Sequence, residues 1–329
     1  MPEIIRVIQY GLGPIGSAVA RHVLERDHLR LVGGVEIDPA KAGRDLGEVI
    51  GLGRPLGIPV AARLAGVHAE ADVVLHTTRS FFDLFKGQIV EILLAGYDVV
   101  STSEELSFPW LAHPAEAAEI DAVAKRAGKT VLGTGVNPGF LMDALPLGLT
   151  AICQRVDRIE VTRAMNASLR RGPFQAKIGS GMSVEAFRAK MEEGRMGHVG
   201  LRESMAMLFT TLGRTLVRYE SAVEPIVAEQ PVRTAFFEVA PGRVRGLQQV
   251  ARGFTAEGEF ATLTFRAALD LDEDGDTIKI SGKPDLEVSL KGTNGDIATV
   301  AIAVNAIRSV VAAPPGLVTM LDVPLVTHG

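Results

Sequence analysis

The segment IIRVIQYGLGPIG, residues 4–16, constrains the fold of this chain more than any other stretch. Ile4–Tyr10 is a nearly continuous apolar run, the signature of a strand buried on both faces of a parallel sheet. Gly11-Leu12-Gly13-Pro14-Ile15-Gly16 follows at once as a G-x-G-x-x-G turn. That spacing alone arises by chance, and a bare strand–helix connection needs glycine only for its turn. Here a strand precedes it, a helix pattern (Ile15–Arg26) begins inside it, and Glu36 ends the next strand 20 residues after Gly16. In that context each glycine has a task. Gly11 permits the tight turn, Gly13 lets backbone approach a pyrophosphate, and Gly16 lets the helix pack against the strand. The free N–H groups and positive dipole end of the helix then face phosphate. Gly11–Gly16 are therefore expected to bind a dinucleotide, NAD or NADP.

The next 120 residues repeat the strand–helix alternation. Strands are expected at Leu31–Ile37, Ala71–Thr77, Asp98–Thr102 and Thr130–Thr134, with helices at Phe81–Ala95 and Pro114–Ala127. Short turns between them favour right-handed βαβ units in a doubly wound parallel sheet, a Rossmann domain over residues 1–136. After about Asn137 the pattern changes. Arg158–Ala164 reads as a strand, and Val184–Glu193 and Leu201–Leu212 as helices. From Thr215 to Leu290 strand patterns dominate, among them VRTAFFEVA, FATLTFRAALDL, TIKISG and LEVSLKG. The expectation for 137–296 is an α+β domain with a mainly antiparallel sheet. A helix over Ile297–Val311 ends before Pro314-Pro315, and the segment 297–329 is expected to pack back on the first domain.

Composition narrows the function classes. A length of 329 residues suits two domains. Net charge is −5, aromatics are 5%, and no basic cluster exceeds Arg170-Arg171, which argues against a nucleic-acid partner. Cys153 is the single cysteine, so disulfide frameworks and thiolate zinc clusters are excluded and a reducing compartment fits; following an apolar helical stretch, it is expected to be a buried small hydrophobe. The N-terminus runs straight into a strand pattern, and no run of 18 apolar residues occurs, so a soluble, cytoplasmic protein is expected. No H-E-x-x-H, C-x-x-C or G-x-S-x-G appears, and no metal is expected. Asp270-x-Asp272-x-Asp274-Gly275 imitates an EF-hand start, but the twelfth position is Ser281, so the segment reads as an acidic hairpin turn.

In an open α/β sheet ligands lie outside the carboxyl ends of the strands. Glu36, or Asp38, is placed to hold the adenosine ribose hydroxyls. A carboxylate there repels a 2′-phosphate and favours NAD, whereas Lys41 and Arg44 just beyond would neutralise one, so the choice stays open. Thr77, Thr78, Arg79 and Ser80 close a strand at the same edge and are expected near the ribose or nicotinamide; Ser80 also suits a helix cap. Asn137, Pro138 and Gly139 are expected to border the nicotinamide, with Phe140 walling the pocket. Ser101–Leu106 sets Glu104 and Glu105 at a strand's carboxyl end. Position alone does not choose between them.

Several segments together are more specific: STSEELSFPW (Ser101–Trp110), GTGVNPGFLMD (Gly133–Asp143), RRGPFQAKIGSGM (Arg170–Met182), GHVGLRES (Gly197–Ser204) and TNGDIATVAIAVNAI (Thr293–Ile307). In these the chain resembles the 2,4-diaminopentanoate dehydrogenase family, which includes the native amine dehydrogenases and is related to the dihydrodipicolinate reductases. The resemblance covers nearly the whole chain. It implies NAD(P)H-dependent reductive amination of a ketone or aldehyde by ammonia, reversible as oxidative deamination. It also implies a catalytic glutamate at Glu104, with Glu105 the fallback, and substrate contacts at Asn166, Phe174 and His198 in matching segments. A diamino acid substrate would want an Arg for its carboxylate; Arg163 and Arg171 are the candidates, neither compelling, and a less charged carbonyl is favoured. Alternatives are 2,4-diaminopentanoate dehydrogenation itself, reduction of a cyclic imine, for which the reductases' paired-histidine motif is missing, and a dinucleotide-binding redox sensor without turnover. The strand-rich second domain and the frequency of symmetric pairs suggest a homodimer.

Overall fold

The computed structural model describes residues 4–194 and 196–328. They form two compact units, one running through Phe140 and resuming at Asn294, the other spanning Leu141–Thr293.

In the first unit the strands are β1 (Ile5–Tyr10), β2 (Leu29–Val35), β3 (Val60–Ala61), β4 (Val73–His76), β5 (Asp98–Ser101) and β6 (Thr130–Gly133). Its helices are α1 (Pro14–Val23), α2 (Leu46–Val49), α3 (Phe82–Leu94) and α4 (Pro114–Ala127). In the second unit lie α5 (Ala144–Leu149), α6 (Gly172–Lys177), α7 (Val184–Glu192) and α8 (Leu201–Thr211). Its strands are β7 (Arg155–Asn166), β8 (Arg218–Val227), β9 (Val232–Arg233), β10 (Glu238–Val239), β11 (Val244–Phe254), β12 (Glu259–Ala268), β13 (Gly275–Lys283) and β14 (Leu286–Leu290). The chain then returns to the first unit as α9 (Gly295–Val311) and β15 (Gly316–Val318).

The first sheet has seven strands in the order β15-β6-β5-β4-β1-β2-β3, every pair parallel. Its strands are mainly apolar at successive positions because successive side chains enter different cores. Val7, Leu75 and Val100 pack with Val19 and Val23 of α1 and with Ala303, Ile307 and Val310 of α9. Their neighbours Ile8, Val74 and Val99 pack with Phe85 and Ile89 of α3 and Ile120 of α4. Helices on both faces bury both sets, so no alternation with polar residues is possible. Val318 of β15 joins the first core, and its strand extends the sheet beyond β6.

The second sheet is β14-β13-β7-β12-β11-β8, antiparallel except for β7 with β12. Buried and part-exposed residues alternate along β7 and β13, as in a sheet with one covered face. Three local expectations need correction. Asp270–Asp274 is no hairpin turn: it joins β12 to β13 across β7, which pairs with both. The run VRTAFFEVA is not one strand. Thr234 Oγ1 accepts from the N–H groups of Phe236 and Phe237, at 3.1 and 3.0 Å, and this turn folds the run into the two short paired strands β9 and β10. Cys153 is half-buried rather than buried, at the end of a 3₁₀ turn.

Candidate active site

Strand register brings the candidate residues of the first unit to one edge. Tyr10 of β1 pairs with His76 of β4, His76 with Ser101 of β5, and Ser101 with Gly133 of β6. The residues that leave those strands, Gly11, Thr77, Thr102 and Thr134, therefore start side by side. From β1 to β5 is two strand spacings, about 10 Å. The strand order reverses between β1 and β4, so this edge is the switch point at which open α/β sheets bind ligands.

The glycine turn has the shape a pyrophosphate needs. Gly11 has φ +90°, and a Cβ there would lie 2.6 Å from the Thr77 carbonyl oxygen. At Gly16 a Cβ would lie 1.9 Å from the Gly11 carbonyl oxygen, so α1 packs on the turn with no room for a methyl. At Gly13, the N-cap of α1, a Cβ would meet nothing within 4 Å. That open space lies in front of a helix start with no side-chain cap and no acid in its first turn. The residues fit a dinucleotide phosphate.

Glu36 follows β2, and its Oε2 accepts the Leu12 N–H at 2.8 Å while Oε1 accepts from the Asp38 N–H at 3.2 Å. Lys41 Nζ donates to the Leu12 carbonyl at 3.0 Å and sits 3.9 Å from Glu36 Oε2. Both side chains thus tie β2's end to the glycine turn. Arg44 is exposed, 3.6 Å from Glu48. Lys41 and Arg44 lie in the turn before α2, which begins beyond them with Asp45 as its cap.

The two acids of Ser101–Leu106 part ways. Glu105 Oε2 accepts the Phe82 N–H at 2.6 Å and lies 3.4 Å from His113 Nε2, whose ring stacks on Phe82. This carboxylate supplies the N-terminal capping of α3 that Ser80 was expected to give; no side-chain cap comes from the Phe81 N-cap itself. Glu104 opens a 3₁₀ turn just after β5 and is half-buried. Its carbonyl oxygen accepts from Ser107, but its carboxylate makes no hydrogen bond or ion pair among the described residues.

Thr77 Oγ1 donates to the Gly11 carbonyl at 2.9 Å, whereas Arg79 is exposed. After β6, Asn137, Pro138 and Gly139 are buried, and Phe140 is half-buried. Gly139 has φ +116°, and a Cβ would be 2.7 Å from the Gly135 nitrogen, so only glycine fits. In the second unit Asn166 spends its amide on the turn after β7, donating to the Leu271 carbonyl and accepting from the Ser168 N–H, both at 3.0 Å. Phe174 lies under the Arg170 guanidinium, and the His198 ring stacks on Phe265. Arg163 is not available to a substrate carboxylate. It is buried with Asp276, Nη1 to Oδ1 2.8 Å, and burial raises the Asp276 carboxyl while the guanidinium beside it opposes that shift.

Sequence reasoning passed over a polar group inside this sheet edge. Gln9, fully buried in β1, donates through Nε2 to the Gly11 carbonyl at 3.0 Å and to Thr77 Oγ1 at 2.8 Å. His76, fully buried at the end of β4, contacts Ser101 Oγ and Gln88 Oε1. Polar residues at positions of an otherwise apolar strand were the available signal.

A parallel sheet with this order, a glycine turn between β1 and α1, and an acid after β2 define an NAD(P)-dependent oxidoreductase. Residues 5–84 match the N-terminal domain of dihydrodipicolinate reductases, and residues 140–328 match the 2,4-diaminopentanoate dehydrogenase C-terminal domain. The 2,4-diaminopentanoate dehydrogenase of Acetoanaerobium sticklandii is 30% identical over 98% of this chain and 94% of that protein. An amine dehydrogenase of Streptomyces virginiae is 23% identical over 98% of this chain and 97% of that one. The solved structure of an amine dehydrogenase from Mycobacterium smegmatis is similar over 99% of this chain and 97% of that chain, with TM-score 0.85 and 28% identity. The chain belongs to the 2,4-diaminopentanoate dehydrogenase family.

Proposed function

We propose that the protein interconverts a ketone or aldehyde plus ammonia with the corresponding amine, using NAD(H) or NADP(H), and that Glu104 is its catalytic acid–base. The observation that carries this reading is the contrast between adjacent acids. Glu105 is committed to α3 and His113, while the Glu104 carboxylate, at the carboxyl end of β5, has no protein partner among the described residues. A partly buried carboxylate without a structural task is a candidate for chemistry. The dinucleotide, held by Gly11–Gly16 with Glu36 and Lys41, and bordered by Thr77–Ser80 and Asn137–Gly139, supplies the hydride. Arg44 stands by for a 2′-phosphate. Glu104 favours the iminium electrostatically; in amination it takes a proton from the ammonia that adds to the carbonyl carbon and gives it to the departing water, and in deamination it takes a proton from the water that adds to the C=N carbon and gives it to the departing ammonia. Phe140, Asn166, Phe174 and His198 are the proposed substrate contacts. Because Arg163 is consumed by Asp276, one of the two candidate carboxylate receptors is removed, and an uncharged carbonyl stays the favoured substrate over an amino acid.

The first unit is proposed as the dinucleotide-binding domain and the second as the substrate-binding and dimerisation domain. No helix among the described residues is long and apolar enough to cross a membrane. A cytoplasmic homodimer is the proposed working form, a setting that suits the single cysteine.

Glu104→Gln is expected to fold, bind NAD(P)H and lose ammonia-dependent oxidation of NAD(P)H by about 10²–10³-fold. The assay follows reduced-cofactor absorbance with ammonium chloride and isobutyraldehyde, 2-pentanone or cyclohexanone. Near-wild-type turnover in this variant, or the same loss in Glu105→Gln alone, overturns the assignment. Consumption that does not require ammonia points to imine or carbonyl reduction instead.

A further inference from the structure

We infer that His76 is a positioning residue: its buried neutral imidazole fixes the turn that carries Glu104 and couples it to the Thr77–Ser80 segment. The inference rests on the reading of Glu104 given above and adds residues that reading does not use.

The hydrogen-bond directions follow from the partners. Gln88 Oε1 is a carbonyl oxygen and only accepts, so His76 Nε2, 2.8 Å away, carries the proton. Nδ1 is then an acceptor and takes the Ser101 hydroxyl proton at 2.9 Å. Having donated, Ser101 Oγ accepts the Ser103 N–H at 3.1 Å. The chain of bonds runs from the Ser103 backbone through Ser101 to His76 and on to Gln88. Gln88 Oε1 also accepts from Thr78 Oγ1 at 2.7 Å, and that oxygen lies 2.9 Å from His76 Nε2. Ser103 is the residue before Glu104, and Thr78 lies in the strand-end segment after β4. One imidazole thus joins the two connections that leave β4 and β5 at the ligand edge.

Burial makes the link directional. His76, Ser101 and Ser103 are at most 2% exposed, and the Tyr10 and Phe85 rings lie against the imidazole at 5.6 and 6.3 Å between centroids. Desolvation holds the imidazole neutral, its pKa pushed down to about 4. A neutral ring has one donor and one acceptor, so it cannot serve both Ser101 and Gln88 in any other tautomer. Either side can be replaced separately. An asparagine amide can present an acceptor near the Nδ1 position, whereas a glutamine amide reaches the Nε2 position and leaves Ser101 without its acceptor.

The test compares His76→Asn, His76→Gln and Ser101→Ala in the full-length protein. Amide hydrogen exchange of the 102–106 segment, read by mass spectrometry, needs no turnover. Exchange there is expected to quicken at least about tenfold in His76→Gln and Ser101→Ala and to stay near wild type in His76→Asn. In the amination assay, kcat is expected to fall about 10–100-fold in the first two, with the NADH dissociation constant within about threefold, and to be largely rescued in His76→Asn. The double variant His76→Gln/Ser101→Ala should be no worse than Ser101→Ala alone. Unchanged exchange in His76→Gln and Ser101→Ala, or equal losses in all three variants, overturns the inference. If wild type oxidises no NAD(P)H with the carbonyl panel, the functional reading fails by itself, and the exchange result still decides the positioning claim.

Discussion

Gly13 and Gly16 differ by three positions in one turn, yet alanine at each should fail for a different reason. At Gly16 the new methyl would sit 1.9 Å from the Gly11 carbonyl oxygen and 2.4 Å from Thr77 Oγ1. Real Cβ contacts of that kind lie beyond 3 Å, so α1 must shift off β1 by about 1 Å or more, an overpacking cost of about 1–3 kcal/mol. For a unit of this size that lowers Tm by several degrees. At Gly13 a methyl meets nothing within 4 Å, and the backbone there, φ −68° and ψ −174°, is one alanine adopts freely. Folding stability should change by less than about 1 kcal/mol, the loss of a good N-cap residue. The methyl instead enters the space before the helix N-terminus. If a pyrophosphate lies there, the same 1–3 kcal/mol clash falls on binding alone, weakening NADH affinity about 5–150-fold. Thermal unfolding and titration of nicotinamide fluorescence read the two quantities separately. A Gly13→Ala protein with wild-type Tm and wild-type NADH affinity would refute the placement of the phosphates on α1.

Two further outcomes follow from the same edge of the sheet. Glu105→Ala removes the acceptor of the Phe82 N–H and the partner of His113, and should cost about 1–2 kcal/mol in urea unfolding, while Glu104→Ala stays within about 0.5 kcal/mol; equal costs would contradict the division of labour between the two acids. His76 binds its proton less readily folded, pKa about 4, than unfolded, near 6.5, so the unfolded chain carries the extra proton between those values and stability falls as pH drops through that window. Above pH 7 there is no penalty, and by pH 4 it reaches roughly 2–3 kcal/mol, read as the pH-dependent part of the stability difference between wild type and His76→Asn; a difference that stays flat from pH 7 to pH 4 would mean the ring is not held neutral.

What the sequence displays and what it hides divide along the range of the forces involved. The first sheet was readable because its strands are buried on both faces: Val7 and Ile8 go to different cores, so β1 had to be apolar at successive positions. The glycine turn was readable because steric exclusion at Gly11 and Gly16 admits one residue type. By contrast, the roles of Glu104 and Glu105 depend on Phe82 and His113, which approach from α3 and the start of α4, and no local spacing encodes that approach. Arg163 is the same case in the second unit. It was one of two candidates for a substrate carboxylate, and strand pairing sets it instead beside Asp276, 113 residues further on. VRTAFFEVA shows the opposite limit, where one hydroxyl, Thr234 Oγ1, overrides a strand-like composition through two short-range bonds. A polar residue in a buried strand is therefore the feature most worth following. Gln9 and His76 interrupt apolar runs at a cost that hydrogen bonds must offset, and both direct those bonds toward the carboxyl ends of β1, β4 and β5. A core that needed only stability would have used valine at either position; the ligand edge needs its connections held in one geometry, and that requirement is what selects an amide and an imidazole there.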